Sequence, residues 1–316
     1  SIYWIRDLIN TPTEDMNPQA LAGAAVELAK SFGCTARVIQ GDELLTAHFP
    51  TIHAVGRSSP HPPCLVDFQW GDHNNPLITL VGKGVCFDSG GLNIKSPEGM
   101  RIMKKDMGGA AHALGLARMI MSQALPVRLR VLIPIAENAI SGNSYHPGDI
   151  IITRAGITVE IGNTDAEGRL LLCDALAAAA EETPDLIVDF ATLTGGARVA
   201  LGPEIAAFFC NQDRLAQDIL KAGEQSRDLL WRLPLHAAYE RYLKSDFADI
   251  CNASAGPFAG AITAALYLKQ FVPNKLPWAH FDISAWNFDK LPGRPIGGEA
   301  HALRAVYTYL RDHYRP

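Results

Sequence analysis

The sequence predicts an α/β fold, a largely parallel mixed sheet sandwiched between helices, and three observations support this. From residue 77 onward, short β-type stretches alternate with longer helical ones, the pattern of parallel strands joined by crossover helices. The run Leu77-Ile78-Thr79-Leu80-Val81-Gly82 is apolar without alternation, as expected of a strand covered on both faces. The 316 residues are 48% hydrophobic and 19% charged, which suits a substantial core and argues against disorder. No internal repeat or low-complexity linker divides the chain. A single domain over 1–316 is expected, with 1–70 a helical and strand flank and 71–316 the core.

Each element has its local cause. Residues 1–9 and 18–32 carry helical periodicity; Asn17 caps the second helix, Pro18 takes its first position and Gly33 closes it. A β-type stretch at 35–39 precedes a short helix near 42–47, and 64–70 reads as a strand ending in the turn 71–76. After the apolar strand at 77–82, the glycine-studded segment to Asp106 lacks periodicity and reads as a functional loop. A helix from about Gly108 to Gln123 leads to a strand over 127–136 and a polar loop over 137–149. Strand pieces at 150–154 and 157–161 bracket Ala155-Gly156 as a hairpin. A helix to about Glu182 follows, then a strand at 185–190 and the turn Ala191 to Gly196 opening a short helix. Further αβ units occupy 204–226 and 259–285, and a last helix covers 298–313.

Composition excludes several function classes. Subtracting 33 acidic from 28 basic residues leaves −5, with no basic run interleaved with aromatics, so charge gives nucleic-acid binding no support. The six cysteines are scattered without a CxxC pair and read as reduced thiols of a cytoplasmic protein. No apolar run reaches the ~18 residues that span a bilayer, and the first ten residues do not resemble a secretory leader.

The chemistry concentrates in two segments. Asn163-Thr164-Asp165-Ala166-Glu167-Gly168-Arg169-Leu170 sets two carboxylates and a guanidinium at the mouth of an Ala- and Leu-rich helix. Upstream, Lys83, Asp88, Lys95 and Asp106 lie in the glycine-studded loop. The segments 82–106, 162–169 and 191–196 each follow a strand and precede a helix, so they are expected to converge at one crevice. Four acids there could not all stay ionised without cations, and oxygen donors suit two hard ions such as Mg²⁺, Mn²⁺ or Zn²⁺. A metallohydrolase follows. Taken singly, each feature has a plainer meaning: Asp-x-Glu pairs are common on solvated loops, Lys95 alone reads as a surface charge, and Thr192 to Gly196 as a helix start. His112 reads as a core residue, and His53, His61 and His73 as loop residues. A phosphate cradle at Lys83 lacks GxxxxGK[ST].

The chain closely resembles the leucyl aminopeptidases, the cytosol aminopeptidase family. The octapeptide Asn163 to Leu170 reproduces the family's diagnostic motif, and Val81 to Leu92 with Lys95, Met103 to Ala111, and Glu137-Asn138 through Asp149 match its other segments. The resemblance implies a metal held by Lys83, Asp88, Asp106 and Glu167 and another held by Asp88, Asp165 and Glu167. Zn²⁺ or Mn²⁺ would fill them, with Mg²⁺ and Co²⁺ also suited. It implies that Lys95 stabilises the gem-diolate formed by attack of a metal-bridged water. Arg169, with backbone amides of Ala166, Gly168 and Leu193, would hold a bicarbonate acting as general base. Met103, Asn163, Thr192 and Gly195 would line the side-chain pocket, and the substrates would be short peptides with a free N-terminus. A cytoplasmic homohexamer is implied, as is a separate N-terminal domain in family members; its absence from residues 1–316 is expected to reflect a fragment, a processed form or loss of that domain. Ser284-Ala285-Trp286-Asn287-Phe288 departs from the family pattern, so Ser284, Trp286 or Asn287 is expected to reshape that pocket. Two rivals stay open: a two-metal phosphoesterase using Lys95 and Arg169 for phosphate, and a DNA-binding or scaffolding relative with a relic site.

Overall fold

A computed structural model describes residues 1–315. Helices α1 (Ile2–Asn10) and α2 (Pro18–Ser31) open the chain. Asn17 accepts from the Ala20 amide at 3.0 Å, and Gly33 takes a φ of +75° just past the helix end, as the sequence anticipates. Strand β1 (Ala36–Gln40), helices α3 (Glu43–Thr46) and α4 (Pro50–Gly56), and strand β2 (Cys64–Trp70) complete the first part. Strands β3 (Leu77–Gly82) and β4 (Gly84–Asp88) follow, then helix α5 (Pro97–Met100), a 3₁₀ turn at Met103–Met107 and helix α6 (Gly108–Ser122). Strand β5 (Arg128–Asn138) leads to the hairpin β6 (Ile150–Ile152) and β7 (Thr158–Glu160), then α7 (Glu167–Glu181) and β8 (Leu186–Ala191). The rest comprises α8 (Gly195–Leu201), β9 (Ala206–Cys210), α9 (Asp213–Ser226), β10 (Leu230–Arg232), β11 (Ile250–Cys251), α10 (Gly260–Lys269), β12 (Trp278–Asp282), β13 (Trp286–Asn287), β14 (Gly297–Gly298) and α11 (Leu303–Tyr314).

The large sheet runs β1-β2-β5-β3-β8-β12-β9-β10, with β4 paired beside β5. Strands β4, β5, β3, β8 and β12 are mutually parallel; β1, β2 and β9 bring the antiparallel pairings. The predicted mixed, largely parallel sheet is therefore present. Apolar residues on one face meet Leu21, Leu114, Ile219 and Val306 of α2, α6, α9 and α11. Those on the other meet Ile52, Leu171 and Leu266 of α4, α7 and α10. Burying each such side chain contributes about 1.5–3 kcal/mol, so both helix layers hold the sheet firmly.

Three expectations need correction. The segment after β3 is not all loop: Gly84–Asp88 pairs with β5, because β5 outruns β3 and leaves ladder positions Ile135 and Ala136 to fill. His53 lies on α4, which the sequence hides behind β-branched residues and glycine; its first turn is instead held by Asp174, which accepts from the Thr51 amide at 2.9 Å. The C-terminal helix starts at Leu303 rather than near 298, because Gly297–Gly298 pairs with Trp286–Asn287. The six cysteines are free, and His112 is a core residue, both as expected.

Candidate metal centre

The parallel strands place their carboxyl ends together, and the polar residues collect there. Lys83 follows β3, Asp88 ends β4, Asn138 ends β5, Thr192 follows β8 and Asp282 ends β12. Asp106 reaches the same point from the 3₁₀ turn before α6. Glu167 is the first residue of α7, where the helix dipole favours negative charge. The convergence expected of segments 82–106, 162–169 and 191–196 is thus observed.

Oxygen atoms of Asp88, Asp106 and Glu167 all lie within 4.8 Å of one another, although these three side chains are only 2%, 3% and 1% exposed. Lys83 Nζ sits 2.8 Å from Asp106 Oδ2 and 2.9 Å from Glu167 Oε1, and donates to the Thr192 carbonyl at 2.9 Å. Lys95 Nζ contacts Asp88 Oδ2 at 2.7 Å and also touches Asp165 Oδ1. Asp165 stands at the rim, more exposed than the other three acids. A Cβ at Gly168 would lie 2.7 Å from Lys83 Cε and 2.9 Å from its Nζ, so a larger residue there would push the amine away from its present place.

Neighbouring groups hold the acids in place. Asn138 Nδ2 donates to Asp88 Oδ1 at 2.8 Å, and the Gly90 amide donates to the same oxygen at 2.9 Å, across a turn that takes Gly90 to a φ of +88°. The Thr192 hydroxyl lies 2.7 Å from Asp106 Oδ1 and 3.0 Å from the Asp106 carbonyl oxygen. Asp282 accepts from the Leu193 and Thr194 amides, and Asn252 Oδ1 from those of Gly162 and Asn163.

The electrostatics show what the cluster lacks. Burial, then the charge of Asp88, pushes Glu167 far above the usual carboxylate range. Burial, then Asp106, pushes Asp88 up to about 6. Burial disfavours charge on Lys83 too, yet Asp106, Glu167 and Asp88 outweigh it and keep the amine an ammonium. Asp106 Oδ2 and Asp165 Oδ1 are buried without a formed hydrogen bond, despite their ionic contacts with the lysines. Among the described residues, only two amines, those of Lys83 and Lys95, stand at ion-pair distance from the four acids, which leaves the cluster open to further positive charge. Dications fit that opening, and their field would favour both the ionised acids and the neutral amine.

Two cavities adjoin the cluster and share Asp165, Leu193, Thr194 and Gly195. One, of about 110 Å³, is lined by the acids together with Met103, Lys105, Thr192, Arg198 and Ile283. The other, of about 330 Å³, holds Asn163, Ala166, Gly168 and Arg169. Arg169 is buried with no carboxylate within ion-pair distance among the described residues, and donates to the Asn252 carbonyl at 2.6 Å.

The family model for the cytosol aminopeptidase family, catalytic domain, matches residues 3–307. The chain belongs to the cytosol aminopeptidase family. It is 41% identical over 309 residues to a probable cytosol aminopeptidase of Chlorobium limicola, covering 97% of this chain and 61% of that protein. It is 43% identical over 293 residues to peptidase B of Yersinia pestis, covering 90% of this chain and 68% of that protein. The crystal structure of a cytosol aminopeptidase from Coxiella burnetii superposes with a TM-score of 0.98 at 62% identity, over 99% of this chain and 68% of that one. The bottromycin maturation enzyme BotP in complex with Mn superposes with a TM-score of 0.94 at 40% identity, over 99% of this chain and 70% of that one. The chain thus spans about three fifths of the length of several curated relatives.

Against that family membership, the residues sort as follows. Lys83, Asp88, Lys95, Asp106, Asp165 and Glu167 meet as the sequence suggested, while Arg169 lies with Ala166 and Gly168 in the second cavity. Two of the three amides expected to cradle an anion are engaged: Ala166 donates to the Asn163 carbonyl at 3.2 Å and Leu193 to Asp282 Oδ1 at 3.0 Å. Met103, Thr192 and Gly195 line the smaller cavity; Asn163 lines the larger. Ser284, Trp286 and Asn287 are not among the residues lining either cavity; Asn287 is tied to the Arg294 and Pro295 carbonyls, and Ile283 lines the smaller cavity. Lys105 and Arg198 also line the smaller cavity, a placement that nothing in the sequence beyond their charge announced.

Proposed function

We propose that this chain is the catalytic part of a dimetal aminopeptidase, which removes the N-terminal residue from short peptides. The observation that carries this reading is the convergence of the buried carboxylates Asp88, Asp106 and Glu167 beside two lysines, in a member of the cytosol aminopeptidase family. Lys83, Asp88, Asp106 and Glu167 would hold one divalent ion, and Asp88, Asp165 and Glu167 the other. Zn²⁺ and Mn²⁺ are the leading ions, with Mg²⁺ and Co²⁺ also suited to these donors. When bound, such ions supply Lewis acidity and an acidified water.

The residues of the chain supply the rest. Asp106, fixed by Thr192, accepts a hydrogen bond from the substrate's free α-amine, which confines cleavage to the first peptide bond. Lys95, at the cavity wall, presents its ammonium where negative charge develops on the scissile carbonyl. Arg169 is a buried guanidinium without an acid to answer it, so it suits a small anion. Bicarbonate held there, helped by the Gly168 amide, would take and return the proton that no histidine is placed to carry. Residues 1–316 act as one catalytic unit, supported by β1 and β2 of the first 70 residues joining the same sheet as β3, β5 and β8. A cytoplasmic location, a homohexamer and the absence of a nucleic-acid role rest on the family resemblance and charge balance.

The test is metal content and turnover of aminoacyl anilides by the purified chain, before and after chelation. Two ions per chain, with turnover abolished by chelation and restored by Mn²⁺, are expected. Turnover that survives complete metal removal would refute the reading.

A further inference from the structure

The loop that carries Asp165 is fastened from two sides by separate sets of hydrogen bonds. On one side the bonds converge on buried Thr164. Its amide donates to Asn93 Oδ1 at 2.9 Å and its hydroxyl to the Gly90 carbonyl at 2.6 Å. Its carbonyl accepts from Tyr145 Oη at 2.7 Å and from Asn138 Nδ2 at 3.1 Å. Asn138 also donates to Asp88, so this side is built into the acid cluster. On the other side stands Asn252, fully buried just past β11. Its Oδ1 accepts from the Gly162 and Asn163 amides at 2.9 and 3.2 Å, and its Nδ2 donates to the Asn163 and Ala166 carbonyls at 2.8 and 3.3 Å. Both donors and both acceptor positions of the side-chain amide are thus filled. The main-chain carbonyl of the same residue accepts from Arg169 Nη1 at 2.6 Å. Asn252 therefore fixes both the Ala166 end of the loop and the guanidinium, two parts of the wall of the larger cavity. It is not itself among the residues lining that cavity, so it acts from behind them.

We propose that Asn252 is the positioning residue of the anion site, holding Arg169 against the Ala166 end of the loop, whereas Thr164 and its partners hold Asp165. This deepens the aminopeptidase reading and rests on its assignment of Arg169 to bicarbonate. An arginine carries five N–H donors in a planar fork, and two of them grip an anion together only when that plane is fixed. The bond to the Asn252 carbonyl sets the plane. No other hydrogen bond engages the guanidinium among the described residues, which leaves the rest of the fork to an anion. Removing the Asn252 side chain frees the segment that carries this carbonyl, and with it the guanidinium. Asp165 keeps its place, because the bonds to Thr164 from Asn93, Gly90, Tyr145 and Asn138 are untouched. The supports of the anion and of the acids are therefore separable.

The experiment measures two affinities by calorimetry in carbon-dioxide-free buffer: Mn²⁺ for the metal-free protein, and bicarbonate for the Mn²⁺-loaded protein freed of excess metal. The proteins compared are the unaltered chain, Asn252→Ala, Tyr145→Phe and Asn211→Ala. Asn252→Ala is expected to weaken bicarbonate about tenfold or more, as for other residues that orient a ligand-binding group, and to leave Mn²⁺ affinity unchanged. The bicarbonate needed for half-maximal anilide turnover should rise by the same factor. Tyr145→Phe should show the opposite split, losing Mn²⁺ affinity and keeping that for bicarbonate. Asn211 also ties two segments through its side-chain amide, to the Leu276 carbonyl and the Trp278 amide, away from either cavity of the site. Its variant should move neither affinity. Asn252→Ser supplies the same readout if the alanine variant does not fold, and failure of both to fold would mark Asn252 as merely structural and overturn the assignment. Unmoved bicarbonate affinity in the Asn252 variants, an equal loss of Mn²⁺ affinity, or a like loss in Asn211→Ala would overturn it too. No bicarbonate binding by the unaltered protein would overturn the bicarbonate reading, and the role of Asn252 with it.

Discussion

Thr192 acts through Asp106, since its hydroxyl is the buried group holding Oδ1 in place at 2.7 Å. Thr192→Val keeps the shape and removes that hydroxyl. Metal affinity is expected to fall about 10–100-fold, as for other residues that orient a ligand, with the melting temperature little changed. Titration calorimetry with Mn²⁺ checks this, and unchanged affinity would show that Asp106 needs no such support. The six acid and lysine positions of the cluster were legible in the sequence because metal-assisted hydrolysis would demand acids and amines, and these stood in order on two short segments. Asn138, Asn252 and Asp282 were not legible in their roles. Each acts by bonding loops distant in sequence, and nothing in a stretch such as Cys251-Asn252-Ala253 announces that its amide will fasten Gly162 and Asn163.

Helix α6 lies unusually close to the sheet. A Cβ on Gly109 would fall 2.1 Å from the Phe190 carbonyl oxygen, and one on Gly82 2.7 Å from the Ala110 Cα. Backbone on both sides leaves nothing flexible to give way, so Gly109→Ala is expected to destabilise by at least about 1–3 kcal/mol in urea unfolding. The same helix carries a pH-sensitive contact. His112 Nε2 accepts from the His301 amide at 2.9 Å, which fixes the proton on Nδ1, beside the Gly108 carbonyl oxygen at 2.6 Å. Burial holds His112 down at about 4, and burial followed by His112 holds His301 down at about 3. Above pH ~6.5 both rings are neutral whether the chain is folded or not, and their contribution is intact. Below it, the unfolded chain takes up protons that the folded one refuses, so stability falls as the pH drops from about 6.5 toward 4. Melting curves across that range should show a shallower decline for His112→Gln; an identical slope would remove these rings from the acid response. Strong periodicity made α6 legible. Strand β4 and helix α4 were not, since a long neighbouring strand and a distant aspartate, rather than local preference, hold them.

For the whole molecule, the sheet stands independently of the ions while the acids at its end call for them. Ions that bind only the folded chain stabilise it by RT ln(1 + [L]/Kd), about 2.7 kcal/mol at a hundredfold excess over Kd. Mn²⁺ should therefore raise the melting temperature by several degrees in a concentration-dependent way, and chelation should reverse it; a flat response would contradict the proposed site. No helix among the described residues is long and apolar enough to cross a membrane. One feature of the sheet bears on how this protein can vary. Strands β3 and β4 lie end to end along β5, broken at Lys83, whose amide still bonds the Phe190 carbonyl at 3.0 Å. Side chains along a strand alternate, and the register of β4 on β5 shifts between Val85 and Asp88, so the side to which Asp88 turns depends on that one irregularity. A one-residue insertion between Lys83 and Val85 should thus abolish activity by carrying Asp88 away from Asp106 and Glu167.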